Sequence, residues 1–247
     1  MSESAQVIGI DPGVTTGICI VDLDARWLAG QGVADWQGLG AAIELVHHEQ
    51  IGRHAKQWDF DKGKTFNVEE KYRPKPRAAE QVLRLKNAKL KKANRTTEPS
   101  PGSLRAILDG EGLYGGGELM YLTPDEIKQV MRIQETLEMW PEAAIVIEDF
   151  IVRKPNQSRE FLSPVRMASM ITFSELTVGS RGRTPFMQSS SLAMTTATDE
   201  RLRMCGLYRA GLIHGNDAAR HVSTFLRECR KDQDTRAAAF PHLFKAK

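Results

Sequence analysis

Cysteine is scarce in this chain. Cys19, Cys205 and Cys229 are odd in number, far apart and form no C-x-x-C pair, which argues against a disulfide framework and a thiolate zinc site. Long apolar runs are absent too. The run Ala143-Ala144-Ile145-Val146-Ile147 falls far short of the roughly 20 residues a bilayer-spanning helix needs, so no membrane partner is expected. Met1-Ser2-Glu3-Ser4 has neither the basic start nor the apolar stretch of a signal peptide. With reduced thiols, a cytoplasmic setting is expected. There is no internal repeat.

What remains is ordinary in bulk and uneven in detail. Hydrophobic residues make up 41% and charged residues 26% of 247, the balance of a soluble globular chain with one sizeable core. The net charge of +3 hides an asymmetry. Between positions 71 and 95 stand Lys71, Arg73, Lys75, Arg77, Arg84, Lys86, Lys89, Lys91, Lys92 and Arg95 against one acid, Glu80. The rest of the chain is net acidic. An acidic body with one basic arm suits an arm that meets a polyanion, although a solvated charged loop has the same composition.

Val7-Ile8-Gly9-Ile10 reads as a buried strand ended by the turn Asp11-Pro12-Gly13. Residues 17–23 read as its hairpin partner, 27–36 as a third strand and 38–49 as a helix with Leu39, Ile43 and Val46 inward. Prolines and the Gly115-Gly116-Gly117 triplet mark 52–117 as an insertion containing a basic helix over 78–92. A strand is expected at 117–122. Thr123-Pro124-Asp125-Glu126 carries the marks of a helix start, and that helix runs to about Trp140. A β-branched strand follows at 144–150, then a helix at 163–176, a short strand at 184–188, a helix capped by Thr198, and a last helix with Ala218, Val222, Phe225, Leu226 and Cys229 as its buried stripe. The expected fold is α/β: a mixed sheet, antiparallel first and then parallel, flanked by helices in one interrupted domain.

Asp11 and Glu148 each end an apolar strand. Acids at adjacent strand ends repel one another unless a cation lies between them, and hard oxygen ligands suit Mg²⁺ or Mn²⁺. In His214-Gly215-Asn216-Asp217-Ala218-Ala219-Arg220-His221 a helix would put residues 214, 217 and 221 on one face. Asp217 would join the ligands, and His214 would orient or deprotonate a water. That holds for His214 if the helix includes it; if Asn216 is the cap, His214 lies outside. Asp149 and His221 are expected in supporting positions, and Asp149 should face away from Glu148 if the strand continues through both. Each residue also has a plain structural reading: Asp11 as a turn former, Glu148 as an arginine partner, Asp217 as a first-turn acid.

Three segments together resemble one family. Val7-Ile8-Gly9-Ile10-Asp11-Pro12-Gly13, Ile145-Val146-Ile147-Glu148-Asp149 and His214-Gly215-Asn216-Asp217-Ala218-Ala219 look like the active-site segments of RuvC-type Holliday junction resolvases, members of the ribonuclease H-like superfamily. Leu162-Ser163-Pro164-Val165-Arg166 and residues 195–201 look most like the resolvases of actinobacterial bacteriophages, which implies a host-cell cytoplasm. The resemblance covers 6–28 and 118–230 and leaves 52–117 unexplained. It implies a homodimer that nicks branched DNA with divalent metal, two Mg²⁺ ions replaceable by Mn²⁺. Asp11, Glu148 and Asp217 would be ligands, and His214 would stand where members carry Asp or His. For DNA contact the candidates are Arg153, Lys154 and the basic arm, with Arg166 and Gln188 behind them.

Two other readings compete. Residues 10–17 also resemble the first phosphate loop of sugar-kinase and chaperone-type ATPases, which need two related domains and a second Asp-Gly loop; Asp109-Gly110 is a poor candidate for it. A non-catalytic DNA-binding protein is the third reading, and clustered carboxylates would repel its ligand.

Overall fold

The computed structural model describes residues 4–30, 35–53, 122–150, 162–177 and 183–244, together with the backbone of 56–59 and 64–67. Its centre is a seven-stranded sheet. In chain order the strands are β1 (Ser4–Asp11), β2 (Thr15–Asp24), β3 (Ile43–Gly52), β4 (Lys56–Asp59), β5 (Lys64–Asn67), β6 (Ala144–Asp149) and β7 (Phe186–Ser189). Across the sheet they run β5-β4-β3-β2-β1-β6-β7. The first five form an antiparallel meander; β6 lies parallel to β1, and β7 parallel to β6. This is the mixed α/β sheet expected from the sequence.

Period-two alternation divides the core in two. Ile8 and Ile10 of β1 and Ile145 and Ile147 of β6 face α3 (Pro124–Met139) and α4 (Ser163–Thr177), meeting Val130, Ile133, Leu137, Met167 and Ile171. Val7 and Val146 face the other way, toward α7 (Ile213–Lys231). That second layer also holds α1 (Ala25–Ala29), α2 (Trp36–Ala42), α5 (Ser190–Thr196), α6 (Asp199–Met204) and α8 (Gln233–Ala239). Burying each large aliphatic side chain contributes about 1.5–3 kcal/mol. No helix among the described residues is long and apolar enough to cross a membrane.

Local chemistry explains the helix starts. Thr123 and Glu126 form a reciprocal capping box on α3, with Thr123 N donating to Glu126 Oε2 at 2.6 Å. The other oxygen of Glu126 takes the buried Arg166 guanidinium of α4. Arg166 is therefore a tie between two helices and is withdrawn as a DNA contact.

Three expectations require correction. The described part of 27–36 is not strand: residues 27–29 belong to α1, capped by Asp24, and Trp36 opens α2, capped by Asp35, while 31–34 lie outside the described residues. The expected helix at 38–49 ends at Ala42, and the chain continues as β3 against β2. Its polar residues misled: His48, Glu49 and Gln50 are buried because helices cover both faces of the strand. Finally, β4 and β5 fall inside the supposed insertion at 52–117 yet continue the sheet. The expected strand at 117–122 and the basic helix at 78–92 lie outside the described residues, apart from Leu122.

Helix α7 packs directly on strand backbone. A Cβ on Gly9 of β1 would sit 2.5 Å from the Ala218 carbonyl oxygen, and one on Gly17 of β2 would sit 1.9 Å from that of His214. Gly9→Ala should therefore lift the helix and cost about 1–3 kcal/mol, read as a lower denaturant midpoint; an unchanged midpoint would show that this contact is not close.

Candidate functional site

The face of the sheet under α7 carries a polar row. Asp11 ends β1, and its register partner on β2 is Gly17. On the other side Glu148 of β6 pairs with Gln188 of β7. Asp11 shares a face with Val7 and Gly9, and Glu148 with Ala144 and Val146, because alternate residues point the same way. The sequence put acids at these strand ends; the sheet order puts the strands side by side.

Helix α7 supplies the other half. It begins at Ile213, so His214 lies in its first turn and on the face of Asp217 and His221. Asn216 is not the cap. Its amide bonds Arg209 N and O, both at 2.8 Å, and fixes the approach to the helix. His214 Nδ1 stands 2.8 Å from Asp11 Oδ2. Asp11, His214 and Asp217 each offer one ligand atom within 4.8 Å of the others. Glu148 is not one of those three, but it lies near enough to Asp11 for the two carboxyls to shift one another's ionisation.

Electrostatics mark the cluster as strained. Burial pushes Asp11 up to about 7; the Glu148 hydrogen bond opposes that rise, and the Asp217 charge adds to it. Burial also pushes Glu148 up to about 7, reinforced by the hydrogen bond with Asp11 and by its charge. Asp217 is raised by burial, against the pull of Arg220 and His214. His214 is lowered by burial, opposed by Asp217 and Glu148. Carboxyls that resist ionising together, within reach of one neutral imidazole, are a donor set that a hard divalent cation would relieve. The residues present fit such an ion.

Supporting groups follow. His221, pushed down to about 4 by burial, places Nε2 3.9 Å from Glu148 Oε2. Its Nδ1 lies 3.0 Å from Gln188 Oε1, and Gln188 Nε2 donates to Glu228 Oε2 at 3.3 Å. Gln188 is thus buried in this chain of bonds and is withdrawn as a DNA contact. Arg220 donates to Asp217 Oδ1 at 2.5 Å and also holds Asp199 of α6. Its place three residues after Asp217 was a readable sign of a helical ion pair, and it was missed.

Asp149 is not in the cluster. Strand β6 continues through it, so it is exposed on the opposite face, where it borders an apolar groove with Val165, Ala168, Thr172, Phe173 and Met187. It is withdrawn as a supporting residue. Arg153, Lys154, Lys71, Arg73, Lys75, Arg77, Arg84, Lys86, Lys89, Lys91 and Lys92 lie outside the described residues, as does Asp109-Gly110.

No protein-family profile and no curated relative matches the chain. Two solved structures of Thermus thermophilus RuvC are similar to it, both at 13% identity. One, in complex with a Holliday junction substrate, has a TM-score of 0.41 over 92% of this chain and 95% of its own. The other has 0.38 over 91% and 95%.

The raised carboxyls imply a pH-dependent stability. An acid whose folded pKa exceeds its unfolded value contributes stability that is full below the unfolded pKa and lost as pH rises through the folded one. Without divalent ions, the unfolding temperature should therefore fall between about pH 4 and about pH 7 on account of Asp11 and Glu148. Glu148→Gln should blunt that fall, and Mg²⁺ at pH 8 should stabilise wild type more than the variant. Thermal scans in chelator and in Mg²⁺ check both; equal responses in the two proteins would contradict the assignment.

Proposed function

We propose that this chain is a divalent-metal-dependent endonuclease that hydrolyses phosphodiester bonds in branched DNA, Holliday junctions among them. The observation that supports it is the grouping of Asp11, Asp217 and His214, with Glu148 beside Asp11, where β1 and β6 end beneath the start of α7. The likeness of the three segments to RuvC-type resolvases supplies the word "branched". Asp11, Glu148 and Asp217 would hold Mg²⁺, two ions in this reading, with Mn²⁺ able to substitute. Such ions would supply an activated water and stabilise the leaving oxygen.

The chain's own groups do the rest. Asp11 and Glu148, both raised by burial, would ionise more readily beside a bound cation. His214, kept neutral by burial, orients the attacking water or accepts its proton, a contribution of about 10²–10⁴-fold. Arg220 limits the motion of Asp217. Arg153, Lys154 and the arm from Lys71 to Arg95 would neutralise phosphates without reading sequence. The resemblance to RuvC-type resolvases also implies a homodimer, which would bring two such clusters to one junction.

The deciding experiment is a nicking assay on labelled four-way, forked, flapped and linear DNA with Mg²⁺, Mn²⁺ or chelator, with ATP hydrolysis measured in parallel. Branched DNA should be cut in either metal and not in chelator. Asp11→Asn and Glu148→Gln should each abolish nicking while junction binding persists. Activity surviving either change would sink the metal-ligand assignment, and ATP turnover without nicking would favour the kinase-like reading. Deleting 71–95 should weaken junction binding and flatten its dependence on salt, since each phosphate neutralised contributes about 0.9 to the slope. An unchanged slope would assign the arm to another partner.

A further inference from the structure

We propose that Gln50 is a positioning residue for His214, acting through the backbone of the first turn of α7; the inference deepens the nuclease reading and rests on it for its catalytic consequence. The first amides of a helix have no acceptor within the helix. Leu212, at the N-cap position of α7, makes no side-chain cap. A residue far away in sequence fills the role. Gly215 N donates to Gln50 Oε1 at 3.2 Å, and the bond is buried.

Register explains how a strand residue reaches a helix cap. Asp11 on β1 pairs with Gly17 on β2, and Gly17 pairs with Gln50 on β3. These three positions form one line across the sheet under the helix start. Asp11 meets the His214 ring at 2.8 Å. Gly17, bare of a side chain, admits the His214 carbonyl. Gln50 holds the next amide. The imidazole is thereby fixed at its ring, its carbonyl and the following peptide. An uncharged amide does this without adding a fourth negative charge to Asp11, Glu148 and Asp217. A small displacement of a group that must meet water in line can cost on the order of 10²-fold in rate, so the cap bears on catalysis without touching substrate.

The test compares Gln50→Met, which keeps bulk and loses the acceptor, with Gln50→Glu, which keeps an acceptor. In metal-free protein without DNA, Q50M should speed exchange of the Gly215 amide about tenfold or more, the scale of one lost hydrogen bond. It should also move the His214 ring-nitrogen signals, assigned by difference from His214→Gln. Q50E should restore the amide protection, while its added charge makes exchange, not the ring signals, the readout that compares the two variants. Where nicking is measured, Q50M should lower kcat about 10- to 100-fold with KM for the junction within twofold. Wild-type exchange and ring signals in Q50M would overturn the proposal. Should Q50M fail to fold, fast Gly215 exchange in Q50E would overturn it, and wild-type protection there would support it. The exchange and ring readouts need neither metal nor DNA. A chain that never nicks DNA would therefore defeat the nuclease reading while leaving the Gln50 contact decided on its own.

Discussion

A helix resting on bare backbone is the constraint from which the rest of the structure follows. Gly9 and Gly17 let α7 settle against β1 and β2 at a distance no side chain would permit. That approach brings the start of the helix over the ends of the central strands. Short polar side chains on the strands then reach the helix directly: Asp11 to His214, Gln188 to His221. With any larger residue at either glycine, the acids would stay on the sheet and the histidine would stand away from them. Packing density and site geometry are here one fact, because interiors transmit small volume changes into displaced atoms.

The same closeness sets the electrostatics. Three carboxyls brought under a helix lose water, and each resists ionising in the company of the others. The fold offsets part of this. The N-terminal end of α7 contributes partial positive charge, and Arg220 lies against Asp217. The remaining imbalance is a standing demand for a cation. Such a group is costly to stability alone, which is the pattern of a site arranged for chemistry.

How far the sequence reveals this depends on whether a feature is local. The strand at β1 and the strand at β6 announce themselves as short apolar runs, and α3 by its capping box. The face of Asp149 follows from period two alone. Strand β3 was hidden because its code is written in its neighbours: His48 and Gln50 are polar, yet they are buried under α7, while Glu49 turns to Arg132 of α3. The inclusion of His214 in the helix hinged on Asn216, whose side chain chose Arg209 instead of the helix end. Gln50 had no sequence sign at all, since its role exists only once β1, β2 and β3 are in register.

The orientation of His214 bears on how it can act. Its Nδ1 faces Asp11 Oδ2, so with Asp11 ionised that nitrogen carries the hydrogen and Nε2 carries the lone pair. The side chain is 42% exposed, and a base acting through Nε2 needs this tautomer and a path to water. A ligand acting through Nδ1 needs the opposite tautomer and the loss of the Asp11 bond. The two roles are therefore exclusive in any one conformation. Both require a neutral ring, which burial favours. A cation held by Asp11 and Asp217 would keep Asp11 ionised, the state in which it accepts from Nδ1. On the nuclease reading, the positive charge that relieves the carboxyls would then also favour the tautomer whose Nε2 lone pair is free.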